Sequence, residues 1–309
     1  MIHCGQSRTP VPTMGFPHLL QDTEYIEIEV DTMKLPFQID LNGKVAVVTG
    51  AGGVLMSEFA KALAACGAKV ALLDINAEAA EAVASAIGEN ALSIPTNCLD
   101  KAEIQKAAEI IHAKWGKVNF LINGAGGNNP RATCDNEYMT RDMTSEVKSF
   151  FDLQEDGLRF VFDLNITSAF LVTQVFAADM VETGGNIINI SSMNAYHPLT
   201  KIPAYSAAKA GISNFTEWLA VHFAPCGIRC NAIAPGFFVT NQNRALLFRE
   251  DGTPTPRTGK ILAATPMNRF GDVSDLIGTL LWLSSEEASG FVTGITVPVD
   301  GGFNAYSGV

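Results

Sequence analysis

Tyr205 and Lys209 stand four residues apart in Tyr-Ser-Ala-Ala-Lys, and Ser192 lies thirteen residues before the tyrosine. Positions i and i+4 share one face of a helix, so the phenol and the ammonium can reach the same ligand. A free tyrosine titrates near ~10, too high for efficient proton transfer at neutral pH. An adjacent ammonium and a cationic cofactor ring would favour the phenolate and lower that value. A serine hydroxyl can hold a substrate oxygen while the phenol gives or takes the proton. That is the chemistry of hydride transfer with a nicotinamide. A tyrosine four residues before a lysine is common on ordinary helices, so the surrounding chain has to carry the argument.

Those side chains need a scaffold, and alternation along the chain supplies one. Lys44–Thr49, Val70–Leu73, Ala91–Ile94, Val118–Ile122, Ile187–Ile190, Ile228–Ile233 and Ile295–Val299 are short apolar runs, the pattern of strands covered on both faces. Helical spacing occupies Ser57–Cys66, Ala77–Ile87, Lys101–Trp115, Gly157–Met180, Pro203–Phe223 and Val273–Leu283, with Gly67 and Gly116 as stops. Strands alternating with helices on short links imply right-handed crossovers and a parallel sheet. The expected architecture is α/β, a single-domain, Rossmann-type doubly wound fold with a seven-stranded parallel sheet. It occupies residues 39–309, and residues 1–38 form an N-terminal extension to which no chemistry is assigned.

The glycine-rich turn Thr49-Gly-Ala-Gly-Gly-Val-Leu-Met56 follows the first strand and opens the first helix. Helix N-termini offer unpaired N–H groups and a positive dipole end, and glycines let backbone approach a pyrophosphate. Thr49, Gly50, Gly52, Gly53, Val54 and Leu55 are therefore candidate dinucleotide contacts. Asp74, at the end of the second strand, can accept hydrogen bonds from an adenosine ribose and would repel a 2′-phosphate. No Lys or Arg at 53 or 75 offsets it, which favours NAD over NADP. The alternative role for Asp74 is to cap the next helix, a task Asn76 could perform instead.

Composition narrows the function classes. Hydrophobic residues make up 47% and charged residues 17%, as suits an enzyme with a well-buried sheet. The formal net charge of −11 argues against nucleic acid or an anionic membrane as partner. No run approaches the roughly 18 apolar residues of a membrane span, and no secretory signal is evident, so a cytoplasmic location is expected. His222, Cys226 and Cys230 are evenly spaced, but two sit near a helix end and the third in a strand, so no metal is expected.

Thr49-Gly50, Asp74, Asn123-Gly-Ala-Gly126, Asn165, Ser192, Tyr205, Lys209, Pro235-Gly236, Arg269-Phe-Gly271, Thr293-Gly294 and Val299-Asp-Gly-Gly302 occur in an order and spacing that resembles the short-chain dehydrogenase/reductase family. The resemblance covers roughly residues 39–306. It implies a tetrad: Tyr205 as general acid/base, Lys209 on the nicotinamide ribose, Ser192 on the substrate carbonyl, and Asn165 holding a proton-relaying water. It further implies cofactor contacts at Asn97 and Cys98, at Asn123, Gly124 and Ala125, and at Pro235, Gly236, Phe238 and Thr240. A homodimer or homotetramer is implied too, built from the helices of Phe170 and Tyr205 and from the last strand. Two departures stand out. Val54 and Met56 replace the family's second and third glycines, which predicts a reshaped loop, because valine tolerates positive φ poorly and methionine adds bulk. In addition, 42 residues separate Asn123 from Asn165. This is about fifteen more than a compact arrangement needs, and it predicts an insertion near 131–150 acting as a substrate lid or an interface.

The segments that should face substrate are polar: Asn128, Asn129 and Arg131; Asn194, His197 and Lys201; Asn241, Asn243 and Arg244. Amides suit sugars, and Arg or Lys suits a carboxylate, so a hydroxylated sugar acid is expected, with Asn128, Arg131, Asn194, Lys201 and Arg244 as contacts. The runs NGAGGNNPRAT, ISSMNAYHPLTKIPAYSAAKA and APGFFVTNQNRALL resemble the D-mannonate oxidoreductase (fructuronate reductase) branch of the family. That likeness implies NADH-dependent reduction of D-fructuronate and its reverse, with gluconate 5-dehydrogenase and tagaturonate reductase as rivals. A reading of another class, a non-catalytic dinucleotide sensor, predicts a broken tetrad.

Overall fold

Each apolar run becomes a strand, and those at the centre of the sheet are buried on both faces. The computed structural model describes residues 38–240 and 244–308. The N-terminal extension therefore lies, but for its last residue, outside the described residues, as do Asn241 and Asn243. The strands are β1 (Val45–Thr49), β2 (Lys69–Asp74), β3 (Ala91–Pro95), β4 (Phe120–Asn123), β5 (Gly185–Ile190), β6 (Ile228–Pro235) and β7 (Thr296–Val299). They form one seven-stranded sheet in the order β3-β2-β1-β4-β5-β6-β7, every pairing parallel. The expected sheet is thus the observed one. Order reverses between β1 and β4, the place where crevices form at the carboxyl ends of such sheets.

The helices are α1 (Val54–Ala65), α2 (Ala77–Ile87), α3 (Lys101–Trp115), α4 (Glu155–Phe162), α5 (Ser168–Met180), α6 (Pro203–Phe223), α7 (Arg244–Leu247), α8 (Pro256–Ala263), α9 (Ser274–Ser284) and α10 (Glu286–Ser289). Successive β1 residues alternate between two cores. Val45 and Val47 join Ile104, Phe176 and Phe215 on one face, and Ala46 and Val48 join Phe59, Leu63 and Leu280 on the other. A buried polar chain stitches β4 and β5 to the first of these layers. The Asn123 amide donates to Thr173 Oγ1 (2.9 Å) and Asn189 Oδ1 (2.8 Å), and Asn189 donates to Thr216 Oγ1 (2.9 Å).

The expected helix over Gly157–Met180 begins slightly earlier and is not uniform. Asp163–Thr167 is a π-turn joining α4 to α5. One extra residue per turn rotates the two halves relative to one another, so Val161 faces a small cluster beneath α6 while Val172 and Phe176 face the sheet. Within the continuous segment Glu155–Met180 an 18-residue stretch has a mean hydropathy of 1.5, so by length and composition alone the segment could cross a membrane. Asp163, Asn165 and Gln174 interrupt it, so it is not an unbroken apolar run. Here the apolar face is spent on the sheet: Val172, Phe176, Ala177 and Met180 are buried.

Candidate functional site

Tyr205 is the third residue of α6, and Lys209 lies one turn further along, 4% exposed. Its ammonium donates to the Ile190 carbonyl at the end of β5 (2.8 Å) and sits 5.6 Å from the Tyr205 ring centroid. Burial pulls its pKa from an ordinary 10.5 to about 8. Burial also pushes the Tyr205 phenol above its ordinary value, and the hydrogen-bonding Ser192 hydroxyl acts the other way. The lowered phenol expected from the sequence is therefore absent from the protein alone. Desolvation outweighs the Ser192 hydrogen bond, and the Lys209 ammonium is turned to the Ile190 carbonyl. A phenol in this state keeps its proton at neutral pH and can donate it. Ser192 Oγ accepts from the Asn194 N–H (3.2 Å), so its single hydrogen is left for the phenol or, in its place, a substrate oxygen.

Asn165 lies within the π-turn, 1% exposed. Its amide donates to the Gly127 and Val161 carbonyls (both 2.7 Å) and accepts from the Gly127 N–H (3.2 Å). The side chain is occupied by backbone and clamps the loop after β4. Gly126, which residue-by-residue reading of the sequence did not single out, completes this corner. A Cβ there would lie 2.7 Å from Asn165 Oδ1 and 3.1 Å from Lys209 Nζ. The surface beside the lysine stays open only because that residue is glycine, and the Asn-Gly-Ala-Gly motif was the signal that could have found it.

At the dinucleotide end, Thr49 Oγ1 accepts from the N–H groups of Gly124 (3.0 Å) and Ala125 (3.1 Å), locking two loops together. Gly50 has φ +67°, and its missing side chain lets Ala125 approach. Gly53 caps α1 without any side-chain hydrogen bond, and the first turn carries no acidic residue. The N–H groups of Val54, Leu55 and Met56 thus open an unneutralised helix end, as an anionic pyrophosphate requires. Val54 begins the helix and takes no positive φ. Met56 is buried against Gly124, where an added Cβ would meet its Sδ at 2.1 Å. Missing bulk at 124 accommodates added bulk at 56, so the loop closes without the family's later glycines.

Asp74 Oδ2 accepts from Gly52 N (2.9 Å) and Oδ1 from Asn76 N (2.8 Å), while Asn76 itself caps α2 through Ala79 N (3.1 Å). Two accepted bonds leave lone pairs on the carboxylate for a ribose. Asn97 is turned to local backbone, accepting from Leu99 N (3.0 Å), and the buried Cys98 thiol is pushed to about 12 by burial, then by Asp74 and Glu103. The Asn123 side chain is spent on Thr173 of α5 and Asn189 of β5. Gly236 crosses closely over Asp300, Phe238 is buried against Gly271, and Thr240 accepts from Arg244 N through its carbonyl (3.0 Å).

The polar mouth divides by pairing. Arg131 forms an ion pair with Asp156, and Asn128 donates to Thr133 Oγ1 (2.9 Å). Arg244 is exposed, its guanidinium 5.7 Å from the Phe248 ring. Asn194 is 4% exposed, and its amide oxygen has no hydrogen-bond partner among the described residues. Lys201 adopts φ +74°, rare for a side-chain-bearing residue. No cluster of three or more His, Cys, Asp or Glu occurs among the described residues; Cys230 is buried in β6, and His222 stacks on Trp218.

A family profile described as enoyl-(acyl carrier protein) reductase matches residues 55–304. An uncharacterized oxidoreductase of Haemophilus influenzae is 55% identical over 282 residues, 90% of this chain and 99% of that one. The uncharacterized oxidoreductase UxuB of Bacillus subtilis is 54% identical over 279 residues, 89% of this chain and 100% of its own. Among solved structures, a protein of Haemophilus influenzae provisionally named D-mannonate oxidoreductase, crystallised with bound NAD, aligns with a TM-score of 0.85. It is 56% identical, over 87% of this chain and 98% of that one.

Two outcomes follow from the site geometry. Gly124→Ala is expected to lower stability by about 1–3 kcal/mol through overpacking. Adding Met56→Ala should recover part of that loss in thermal melts, although the Thr49 carbonyl, 2.7 Å from the new Cβ, keeps recovery incomplete. For the nucleotide-free protein, the unfolded chain retains the Lys209 proton between about pH 8 and 10.5 while the folded protein has released it. Stability relative to Lys209→Met is therefore expected to rise with pH across that window in urea titrations.

Proposed function

The chain belongs to the short-chain dehydrogenase/reductase family, and from that premise we propose an NAD(H)-dependent oxidoreductase that interconverts a keto sugar acid and its hydroxy form, with D-fructuronate and D-mannonate as the leading pair. The observation that carries the reaction is the placement of the Tyr205 phenol beside Ser192 and one helical turn from the buried Lys209. When bound, the nicotinamide supplies or receives the hydride at the substrate carbon. Ser192 donates to the carbonyl oxygen, and Tyr205 delivers the proton that neutralises the developing alkoxide; the reverse direction returns that proton. Lys209 spends one N–H on Ile190 and keeps two for the cofactor's ribose hydroxyls. The open N-terminus of α1 receives the pyrophosphate, and Asp74 takes the adenosine ribose while rejecting a 2′-phosphate. Asn165 holds Gly127, the neighbour of the Gly126 that flanks the lysine.

The sugar-acid assignment is supported by the unpartnered, buried amide oxygen of Asn194, by the Lys201 and Arg244 cations, and by the name carried by the similar NAD-bound protein. Arg131 contributes less, since Asp156 already neutralises it. The insertion near 131–150 fits the role of substrate cover: Cys134 N bonds the Lys201 carbonyl (2.8 Å), and Asp135 N bonds that of Lys148 (2.8 Å). A cytoplasmic homodimer or homotetramer completes the reading. Its interface would use Phe170, stacked on Phe215 at 3.7 Å between centroids, and the exposed Trp218 and Val221.

Initial rates of NADH and NADPH oxidation with D-fructuronate, D-tagaturonate and 5-ketogluconate test the assignment. NADH-dependent turnover of fructuronate above the other two is expected, and preference for either rival would rename the substrate. Tyr205→Phe is expected to cut turnover by about 10²–10⁴-fold while NADH affinity stays within about twofold. Unchanged turnover would remove the tyrosine from the mechanism. Asp74→Ser is expected to reduce the NADH-over-NADPH preference by roughly tenfold, equivalent to about 1.4 kcal/mol of lost repulsion. No shift would leave Asp74 as a loop anchor only.

A further inference from the structure

The turn that carries Ser192 is anchored at both ends, and its second anchor lies far away in the chain. Met193–Ala195 is a single 3₁₀ turn with Ser192 as its N-cap. Bonds across the turn make it stiff. Ala195 N donates to the Ser192 carbonyl (2.9 Å), and Tyr196 N and His197 N both donate to that of Met193 (3.1 Å each). Upstream, Ser191 N donates to the Ile233 carbonyl (2.8 Å), which fixes the turn to the sheet. Downstream, two neighbouring side chains reach β7 and the turn that follows it. The Tyr196 hydroxyl donates to the Thr296 carbonyl (2.8 Å), and His197 Nδ1 lies 2.8 Å from Asn304 Oδ1. An amide oxygen only accepts, so the imidazole N–H is the donor.

Asn304 is itself held in place. Asp300 accepts from Gly302 N through Oδ1 (2.9 Å) and from Asn304 N through Oδ2 (2.7 Å), so one carboxylate closes the turn after β7. That closure runs through Gly301 and Gly302 at φ +66° and +90°, a conformation that side chains strain. The same turn reaches the segment after β6. A Cβ on Gly236 would lie 2.6 Å from Asp300 Cα, and the Phe303 ring meets that of Phe237 edge-on at 5.3 Å. The Asp300–Asn304 turn therefore touches the Ser192 turn on one side and Pro235-Gly236-Phe237 on the other.

Tyr196 and His197 follow Ser192 by four and five residues. With three bonds across so short a turn, a shift at its downstream end moves the Asn194 N–H that Ser192 Oγ accepts. The direction of the hydroxyl is thus set from both ends. We propose that Tyr196 and Asn304 are positioning residues, which hold Ser192 Oγ at the angle from which it donates to the substrate oxygen. Tyr196 acts through β7, and Asn304, set by Asp300, acts through His197. The inference rests on the reduction proposed above and deepens it. His197, which the sequence places in the polar mouth, is turned to this pin in place of a substrate. A misplacement of about 1 Å lowers a rate by up to about a hundredfold, and loosening one of two pins is expected to lower it less.

The test combines amide exchange with a mutant cycle. In hydrogen-exchange mass spectrometry of the nucleotide-free protein, Tyr196→Phe and Asn304→Ala are each expected to speed exchange across residues 193–197 by about fivefold, the scale of one lost hydrogen bond, and to leave α3 unchanged. With whichever of the three keto acids is reduced, each variant is expected to lower kcat by about fivefold, while NADH affinity from fluorescence titration stays within about twofold. In a Ser192→Ala background the same substitutions are expected to lower the residual rate by less than about twofold, because the group they position is gone. A general weakening of the fold would act equally with and without the serine. The proposal is overturned if exchange across 193–197 is unchanged, if turnover does not fall, or if it falls equally in both backgrounds. Faster exchange with none of the keto acids reduced would retain the pinned turn and remove the assigned reaction.

Discussion

A lysine ammonium withdrawn from water, where the end of β5 meets the second turn of α6, is the constraint around which the remaining geometry is arranged. An isolated buried cation is unfavourable unless something receives its hydrogens. The Ile190 carbonyl takes one, and the space for the others exists because residue 126 has no side chain. That space in turn needs the Gly126–Gly127 backbone to stay put. The clamp is Asn165, whose reach to both the Val161 carbonyl and the Gly127 amide comes from its position in a π-turn. The Ser191 hydroxyl, bonded to the Lys209 carbonyl (3.2 Å) and to Ser213 (2.8 Å), fastens the strand end to the same helix. A change at any of these positions therefore acts on the charge, even though none of them carries it.

Much of this was readable from the chain because it is local. Asn76 and Asp100 cap α2 and α3, and Gly116 terminates α3 with φ +87°, so those two helices fall where capping and glycine chemistry put them. Apolar runs buried on both faces identify central strands whatever their partners. The tyrosine, lysine and serine follow from helical spacing and from the strand before them. Family likeness then supplied the order of the loops, which spacing alone does not.

What stayed hidden depends on contacts between distant residues. His197 and Asn304 are 107 positions apart, and neither type nor spacing links them. Adjacency on a helix places the Lys209 ammonium near Tyr205, while burial and the Ile190 carbonyl decide which way it points in the protein alone. Asp74 was read as a choice between ribose contact and helix cap. The fold adds a third role, holding Gly52, which no sequence rule anticipates. The π-turn was invisible for a related reason: an inserted residue breaks the phase of one amphipathic helix into two shorter phases, and the eye joins them.

The fit of Met56 into the space left by Gly124 has an evolutionary consequence. Methionine at 56 requires glycine at 124, so the pair is epistatic: the cost of enlarging position 124 depends on what stands at position 56. A lineage that enlarges position 124 meets less resistance by shrinking position 56 first, although the Thr49 carbonyl still crowds the new side chain. Chains of this kind should therefore inherit the two sites as a unit, and a methionine at the first should forecast a glycine at the second.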